Sequence, residues 1–565
     1  MTRPPCRLPS LLFCLPALAL TACSQLTSPP DDSVEIAILG LNDFHGHIQS
    51  AQPTPRQLKI PDTSASDGWR NAPAGGAAYL ASGLAALRAR HPHHITVGVG
   101  DLIGASPLAS ALLDDEPALE ALNRLGLSLS VVGNHEFDSG RQELERKISG
   151  QCPENGCKLP EFRGAGFTYL AANVYDRATG RPFLPAYVIR EIGAMKIAFI
   201  GTPLKETPNM VDRAGIASLA FHDEASTINA LIPEVRAQGA QAIVALLHQG
   251  ADYPGHYNDP SYACPGLQGP AVEIVKALDP AVKVVMSAHT HQGYTCKLDG
   301  RLLTQGYSYG ALLTEIRLKF DRRSGELISA DAENHPLDHT SVIPDRPMQA
   351  WVEAIEARSA ELRQQPAGKI SRAIGREAAT GFADTPLGNL IADAQWQYAR
   401  QFEPVDLALT NPGGIRADLP AAQLSNTPIS VSFGDLFATQ PFRNQLVIID
   451  LSGQALLNLL NAQWQGAGKV RFLQVSSSLS YRWHDDPAAS TRIEDVRIHG
   501  ETIDTQKIYR VVMNSFMANG GDQLGLPQPL KDSRYLPGMD VDALRWYFGQ
   551  HPVVSAPESS RITRH

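Results

Sequence analysis

Five short fragments of this 565-residue chain place carboxylates, imidazoles and a carboxamide at the ends of apolar runs. They are Asp43-Phe44-His45, Gly100-Asp101, Gly133-Asn134-His135-Glu136-Phe137-Asp138, His248, and His289-Thr290-His291. Such side chains form a hard to borderline ligand set that suits Mn, Zn, Mg, Co or Fe. A carboxylate such as Asp101 can bridge two divalent ions roughly 4 Å apart. Two cations bring the pKa of a shared water towards neutrality and offset charge on a phosphoryl group, so hydrolysis needs no nucleophile from the protein. A lone Asp-x-His or His-x-His is weak, because a single histidine at a strand end is more often structural. Five fragments in this order point to two metal ions.

Each fragment follows a run that reads as a buried strand, at 36–41, 95–99, 129–132, 242–247 and 282–286. Loops at the carboxyl ends of strands are where α/β folds carry their sites. Helical stretches at 77–90 and 224–238 alternate with strands to about residue 335. Asp345 and Pro347 then open a helix whose Met348, Trp351, Val352, Ile355 and Leu362 share one face. That helix is expected to pack on one domain, and Pro366-Ala367-Gly368 ends it. New strands follow at 406–410, 445–451, 470–475 and 507–513. The chain divides into a signal peptide (1–22), a tether (23–33), an N-terminal domain (34–340), a hinge helix (341–368), a C-terminal domain (369–557) and a tail (558–565).

Arg3 and Arg7 precede an apolar stretch, and Leu20-Thr21-Ala22-Cys23 resembles a bacterial lipoprotein processing box. Export is expected, with lipid on Cys23 anchoring the chain to the envelope; an ordinary secretion signal is the alternative. Ser24 leans towards the outer membrane. Removing residues 1–22 leaves 543 residues and takes the net charge from −9 to −11, a balance that argues against nucleic acid as a partner. No later segment approaches the roughly 18 apolar residues of a membrane span.

Of seven cysteines, Cys6 and Cys14 belong to the signal and Cys23 to the lipid site, leaving Cys152, Cys157, Cys264 and Cys296 for two disulfides in an oxidising compartment. The turn-forming Pro153-Glu154-Asn155-Gly156 suits a small loop closed by Cys152 and Cys157, with Cys264 then facing Cys296, although the connectivity stays open. The spacing lacks the paired CxxC form of a structural zinc site. Gly306-Tyr307-Ser308-Tyr309-Gly310 matches a nucleophile elbow, but Ile316, Leu318 and Phe320 alternate with Arg317 and Lys319 as in a strand, so Ser308 is not read as a nucleophile. His91, His93 and His94 precede a strand and are read as solvated, while His47 and His256 are left unassigned.

In this order the fragments resemble the calcineurin-like metallophosphoesterases, and almost the whole mature chain resembles the 5'-nucleotidase and UDP-sugar hydrolase family. The resemblance implies a four-layer α/β/β/α N-terminal domain, a connecting helix, and a C-terminal α/β substrate-binding domain that rotates towards the metals. It implies that Asp43, His45, Asp101 and His291 hold one metal and Asp101, Asn134, His248 and His289 the other, with His135 and Asp138 as the catalytic dyad. His291 departs from relatives that carry Gln or Asn there. Asn411-Pro412-Gly413-Gly414-Ile415-Arg416 resembles the substrate loop, in which Asn411, Gly414 and Arg416 touch substrate. Phe442 and Phe516 resemble a pair of rings that sandwich a base, with Asn444 beside them and Asp522 on ribose hydroxyls.

Relatives often carry a further Arg shortly before Leu387-Gly388-Asn389-Leu390, but residues 380–386 contain none, and Arg372 and Arg376 lie further upstream. Arg416 is therefore the one cationic substrate contact expected. The implied activity is metal-dependent hydrolysis of nucleoside 5'-phosphates, with nucleotide pyrophosphates, UDP-sugars, NAD and cyclic nucleotides as competing substrates. A related esterase acting on carrier-bound sulfur oxyanions fits the paired rings less well. A non-catalytic nucleotide-binding lipoprotein is disfavoured, since every candidate ligand is intact.

Overall fold

The computed structural model describes residues 32–565 apart from 51–55, 66–67, 154–155, 421–427, 465–469, 487–490, 527–529 and 531. The expected signal peptide, Cys23 and most of the expected tether lie outside the described residues.

The five predicted strands are present as Ser33–Leu41, His94–Val99, Leu129–Val131, Ala242–His248 and Val282–Ser287. The first three run parallel side by side, extended by Thr168–Leu170 and flanked on the other edge by the antiparallel Leu312–Asp321 and Leu327–Pro336. The last two lie parallel in a second six-stranded sheet, between Met195–Pro203 and Arg301–Gly306. Strands buried on both faces read as continuous apolar runs, which is why these five were visible. Ile36, Ile38, Val97 and Val131 of one sheet pack on Phe199, Val244, Leu246 and Val284 of the other. The outer faces are covered by the helices Ala77–Arg90 and Glu116–Arg124 on the first sheet and Glu224–Ala237 and Pro270–Ala277 on the second. The result is the four-layer α/β/β/α sandwich that the resemblance implied.

Helix Arg346–Gln364 starts where Asp345 accepts the Met348 N–H at 2.8 Å. It does not pack on one domain alone. Met348, Val352 and Ile355 join the N-terminal core, whereas Leu362 packs into the C-terminal core around Leu390 and Phe433. Leu108, from the N-terminal short helix Leu108–Ala111, is buried in that same C-terminal cluster.

The C-terminal domain holds a five-stranded mixed sheet centred on Ile508–Asn514, with Leu407–Thr410 and Gln445–Ser452 on either side, and a four-stranded sheet. Residues expected as a tail are built in: Ile562–Arg564 pairs parallel with Leu479–Trp483. The Asp384 carboxylate accepts the backbone N–H groups of Ser560, Arg561 and Ile562, so the segment satisfies a buried charge that would otherwise be orphaned.

Disulfides join Cys152 to Cys157 and Cys264 to Cys296. The Gly306–Gly310 stretch runs into the strand Leu312–Asp321 with no helix after it, as the alternation indicated. His91, His93 and His94, at the join of helix and strand, are partly buried rather than fully solvated; His91 Nε2 lies 2.5 Å from Glu315 Oε1 and His94 Nδ1 lies 2.7 Å from His91 O. Among the described residues no helix is long and apolar enough to cross a membrane.

Candidate functional site

Asp43 and His45 follow the strand Ser33–Leu41, Asp101 follows His94–Val99, Asn134 and His135 follow Leu129–Val131, His248 ends its strand, and His289 and His291 follow Val282–Ser287. Five of these side chains hang from left-handed backbone: φ is 49° at Asp43, 48° at His45, 49° at Asp101, 72° at His289 and 53° at His291. Each such non-glycine residue costs roughly 1–3 kcal/mol, and this kind of strain gathers at functional sites. Gly100, at φ 82°, has no room for a side chain, since a Cβ there would lie 2.5 Å from His248 Nδ1.

The ligand atoms of Asp43, His45 and His291 lie within 4.8 Å of one another, as do those of Asp101, His248 and His289, and those of His45, Asp101 and His135. His45 Nε2 faces His291 Nε2 at 3.1 Å, and His291 Nε2 lies 3.7 Å from Asp43 Oδ1. Outer contacts fix the rings. His45 Nδ1 donates to Gly104 O at 2.8 Å and His248 Nδ1 to Val99 O at 2.7 Å, which turns both Nε2 atoms inward. Asp43 is oriented by the amide of Asn42 at 2.6 Å and the His289 N–H at 3.0 Å.

The donors fit divalent cations. Asn134 Oδ1 is buried with no hydrogen-bond partner among the described residues, and His248 Nε2, equally buried, faces Asp101 Oδ2 at 3.1 Å. Burial, aided by the charge of Asp101, pushes the Asp43 carboxyl up to about 7. Burial also holds His45 well below its ordinary value and His289 at about 3, so both rings are neutral and offer lone pairs. Burial opposes protonation of His248, but Asp101 overrides it and raises that ring to about 9, a proton that a cation in the same place would displace.

His135 Nδ1 is 2.8 Å from Asp138 Oδ2, and its backbone N–H donates to Asp101 Oδ1 at 2.8 Å. Burial works against its charge, yet Asp138 and Asp101 leave its pKa raised. Glu136, a residue with no role evident from the sequence, is 3% exposed and accepts N–H groups from Asp101 at 2.9 Å, Leu102 at 2.8 Å and Gly133 at 2.5 Å. It ties the Asp101 and Asn134 loops together. Its signal in the sequence is adjacency alone, one residue from His135.

A cavity of about 490 Å³ opens beside the cluster. Asn134, His135, Asp138 and His289 form one wall; Asn411, Gly414, Arg416, Phe442, Asn444, Phe516 and Asp522 form the other. All seven residues expected on the substrate side are therefore brought together, opposite the dyad. Phe442 stacks on His135 with ring centroids 5.6 Å apart and planes at 18°, and the Arg416 guanidinium lies 5.7 Å from the same ring. Asn514 Nδ2 donates to Asn411 Oδ1 at 2.9 Å and fixes that loop. Asp522 sits at φ 55°, its pKa raised by burial against the opposing Asn411 hydrogen bond and Arg471 charge.

Arg416 is not the only cation here, contrary to expectation: Arg443 and Arg471 also line the cavity. Arg471 was hidden in a stretch read as a strand over 470–475, of which only Gln474–Val475 is one. Arg376, further upstream than the arginine of relatives, bonds Asp418 Oδ1 through Nε and Arg416 O through Nη1, both at 2.9 Å, and so braces the substrate loop. Arg372 has no place in the cavity wall.

A four-layer sandwich with a His- and Asp-rich cluster at its strand ends defines the class, a metallophosphoesterase, for which divalent metals are implied. The calcineurin-like phosphoesterase family matches residues 36–293, and the C-terminal domain of 5'-nucleotidase matches residues 366–528. The chain belongs to the 5'-nucleotidase family, which joins these two domains. It is 33% identical over 526 residues to "Cell wall protein Lmo0130" of Listeria monocytogenes and 30% identical over 490 residues to "Endonuclease YhcR" of Bacillus subtilis, covering 87% and 86% of this chain. The chain spans 64% and 37% of the length of those two relatives. The 5'-nucleotidase precursor of Thermus thermophilus shares the fold at a TM-score of 0.74 and 24% identity, over 94% of this chain and 99% of that one.

Proposed function

We propose that this protein hydrolyses nucleoside 5'-phosphates to nucleoside and phosphate. One observation carries the reading: the dyad His135–Asp138 and a ring, amide and guanidinium lining suited to a nucleotide share one cavity of about 490 Å³.

Asp43, His45, Asp101 and His291 would hold one divalent cation and Asp101, Asn134, His248 and His289 a second; when bound, such a pair offsets phosphoryl charge and acidifies water. Arg416 presents its guanidinium fork to the phosphate. Phe442 and Phe516 take the base between them, Asn444 meets its edge, and Asp522 accepts from ribose hydroxyls. His135, oriented by Asp138, presents Nε2–H to the oxygen that gains charge as the ester bond breaks.

An exported, lipid-anchored chain with Cys23 as the modified residue fits two formed disulfides and a relative named as a cell wall protein. A relative named as an endonuclease keeps phosphodiesters in view, but net charge −9 is poor for a polyanion. The test is phosphate release by the full chain with Mn, Mg, Zn or Co across AMP, ADP, UDP-glucose, NAD and cyclic nucleotides. AMP turnover that a chelator abolishes is the expected result. Cleavage of UDP-glucose or NAD without AMP turnover would make it a pyrophosphatase, and metal-loaded protein inert to all would leave a binding role.

A further inference from the structure

Two rings that stack on any base cannot tell one base from another, so discrimination has to come from groups at the base edge. Asn444 lines the cavity two residues after Phe442. A carboxamide can offer that edge its oxygen, which accepts, or its NH2, which donates, and the two read opposite chemistry. Which end is turned outward therefore decides which bases fit.

The choice is made from behind. Asp540 is 2% exposed, opens the helix Asp540–Gln550 and lies outside the cavity wall, whereas its neighbour Met539 is part of that wall. The Asp540 N–H donates to Asn444 O at 2.7 Å, and the Asp540 carboxylate accepts a hydrogen bond from the Asn444 side chain. Asn444 Oδ1 accepts from Ser515 Oγ at 3.4 Å, and Ser515 lines the cavity. An acid in the first turn of a helix is ordinarily a cap, but Asp542 fills that role here, its Oδ2 accepting the Met539 N–H at 2.9 Å. The buried carboxylate of Asp540 is left with Asn444 and its own neighbour, Val541, whose N–H donates to Asp540 Oδ1 at 2.9 Å. Burial raises this carboxyl to about 7, with Asp542 adding to the rise, so at about pH 8.5 it is ionised and can only accept.

We propose that Asp540 is a positioning residue for base specificity: it holds Nδ2 of Asn444 inward, so that Oδ1 meets the base and selects adenine and cytosine, which carry an exocyclic amine, over hypoxanthine and uracil. The proposal rests on the nucleotide reading above. An amine N–H donates to Oδ1, whereas a carbonyl oxygen in the same place sets acceptor against acceptor and leaves both without a partner. Asp540 acts only through Asn444 and touches no part of the nucleotide.

AMP against IMP, and CMP against UMP, differ only on that edge, so the ratio of kcat/KM within each pair cancels the phosphate chemistry. For wild-type protein at about pH 8.5 both ratios are expected to favour the amine roughly tenfold. Asp540→Asn exchanges one accepting oxygen for an NH2. The Val541 N–H keeps the carboxamide oxygen, so the new NH2 faces Asn444 and turns its amide over. Both ratios are then expected to invert, which a general loosening of the site would not produce. Asn444→Ala should bring the ratios to about one, and adding Asp540→Asn to it should move them no further. Wild-type ratios near one, ratios that survive Asn444→Ala, or an Asp540→Asn protein that keeps the wild-type ratios would overturn the positioning role and leave the nucleotide reading standing. The first two need no change at Asp540, so they decide the matter even where Asp540→Asn does not fold. Metal-loaded wild type inert to all four nucleotides would overturn both.

Discussion

The two walls of the main cavity are built to different rules. The metal-side wall is buried and fixed from behind: Asp43, His45, Asp101 and His248 are each 1% exposed or less, and backbone groups orient their rings and carboxylates. The substrate-side wall is half open, with Gly414, Arg416, Phe442 and Phe516 only partly buried, and it is held by a few side-chain bonds such as Asn514 to Asn411. Chemistry needs fixed ligands, whereas a ring clamp gains much the same stacking energy from any base. Rigidity is concentrated where charge must be placed.

That contrast can be broken at several points. Asp101→Asn should cost most, roughly 10³-fold or more in kcat, with metal content by mass spectrometry falling alongside. His135→Ala should lose roughly 10²–10⁴-fold while metal content holds. Phe516→Ala should weaken nucleotide use by about 1–3 kcal/mol, roughly 5- to 150-fold in kcat/KM, and spare an aryl phosphate. It is a cleaner probe than Phe442→Ala, because Phe442 also touches His135. Equal loss on both substrates would count against base stacking.

The smallest effect on turnover is expected away from both walls. Burial would raise the Glu315 carboxyl, but the His335 hydrogen bond at 2.6 Å, with the charges of His335, Arg317 and His91, brings it down to about 2. A depressed carboxyl stabilises the fold fully above its unfolded value near 4.5 and loses that contribution as pH falls towards 2. Glu315→Gln should therefore lower the denaturation midpoint at pH 7, flatten its fall between pH 4.5 and 2, and leave AMP turnover within twofold.

The metal-side wall was legible because doubly buried strands are apolar throughout and each ends in a chemically unusual fragment. The substrate loop and its rings were reached through resemblance, since a lone Phe or Gly-Gly is bland. Arg443 and Arg471 were missed because an exposed arginine obeys no period. Glu136 was passed over because three backbone N–H groups converging on one carboxylate are a property of loops meeting in space. His91 was read as solvated because its partner, Glu315, is far away in sequence.

The left-handed backbone at five metal-side residues sets stability against activity. Glycine at Asp43 or His289 would relax the chain while removing a ligand. Selection for heat resistance alone, with turnover ignored, would erode this centre first, and variants that melt later yet hydrolyse nothing would trace its outline.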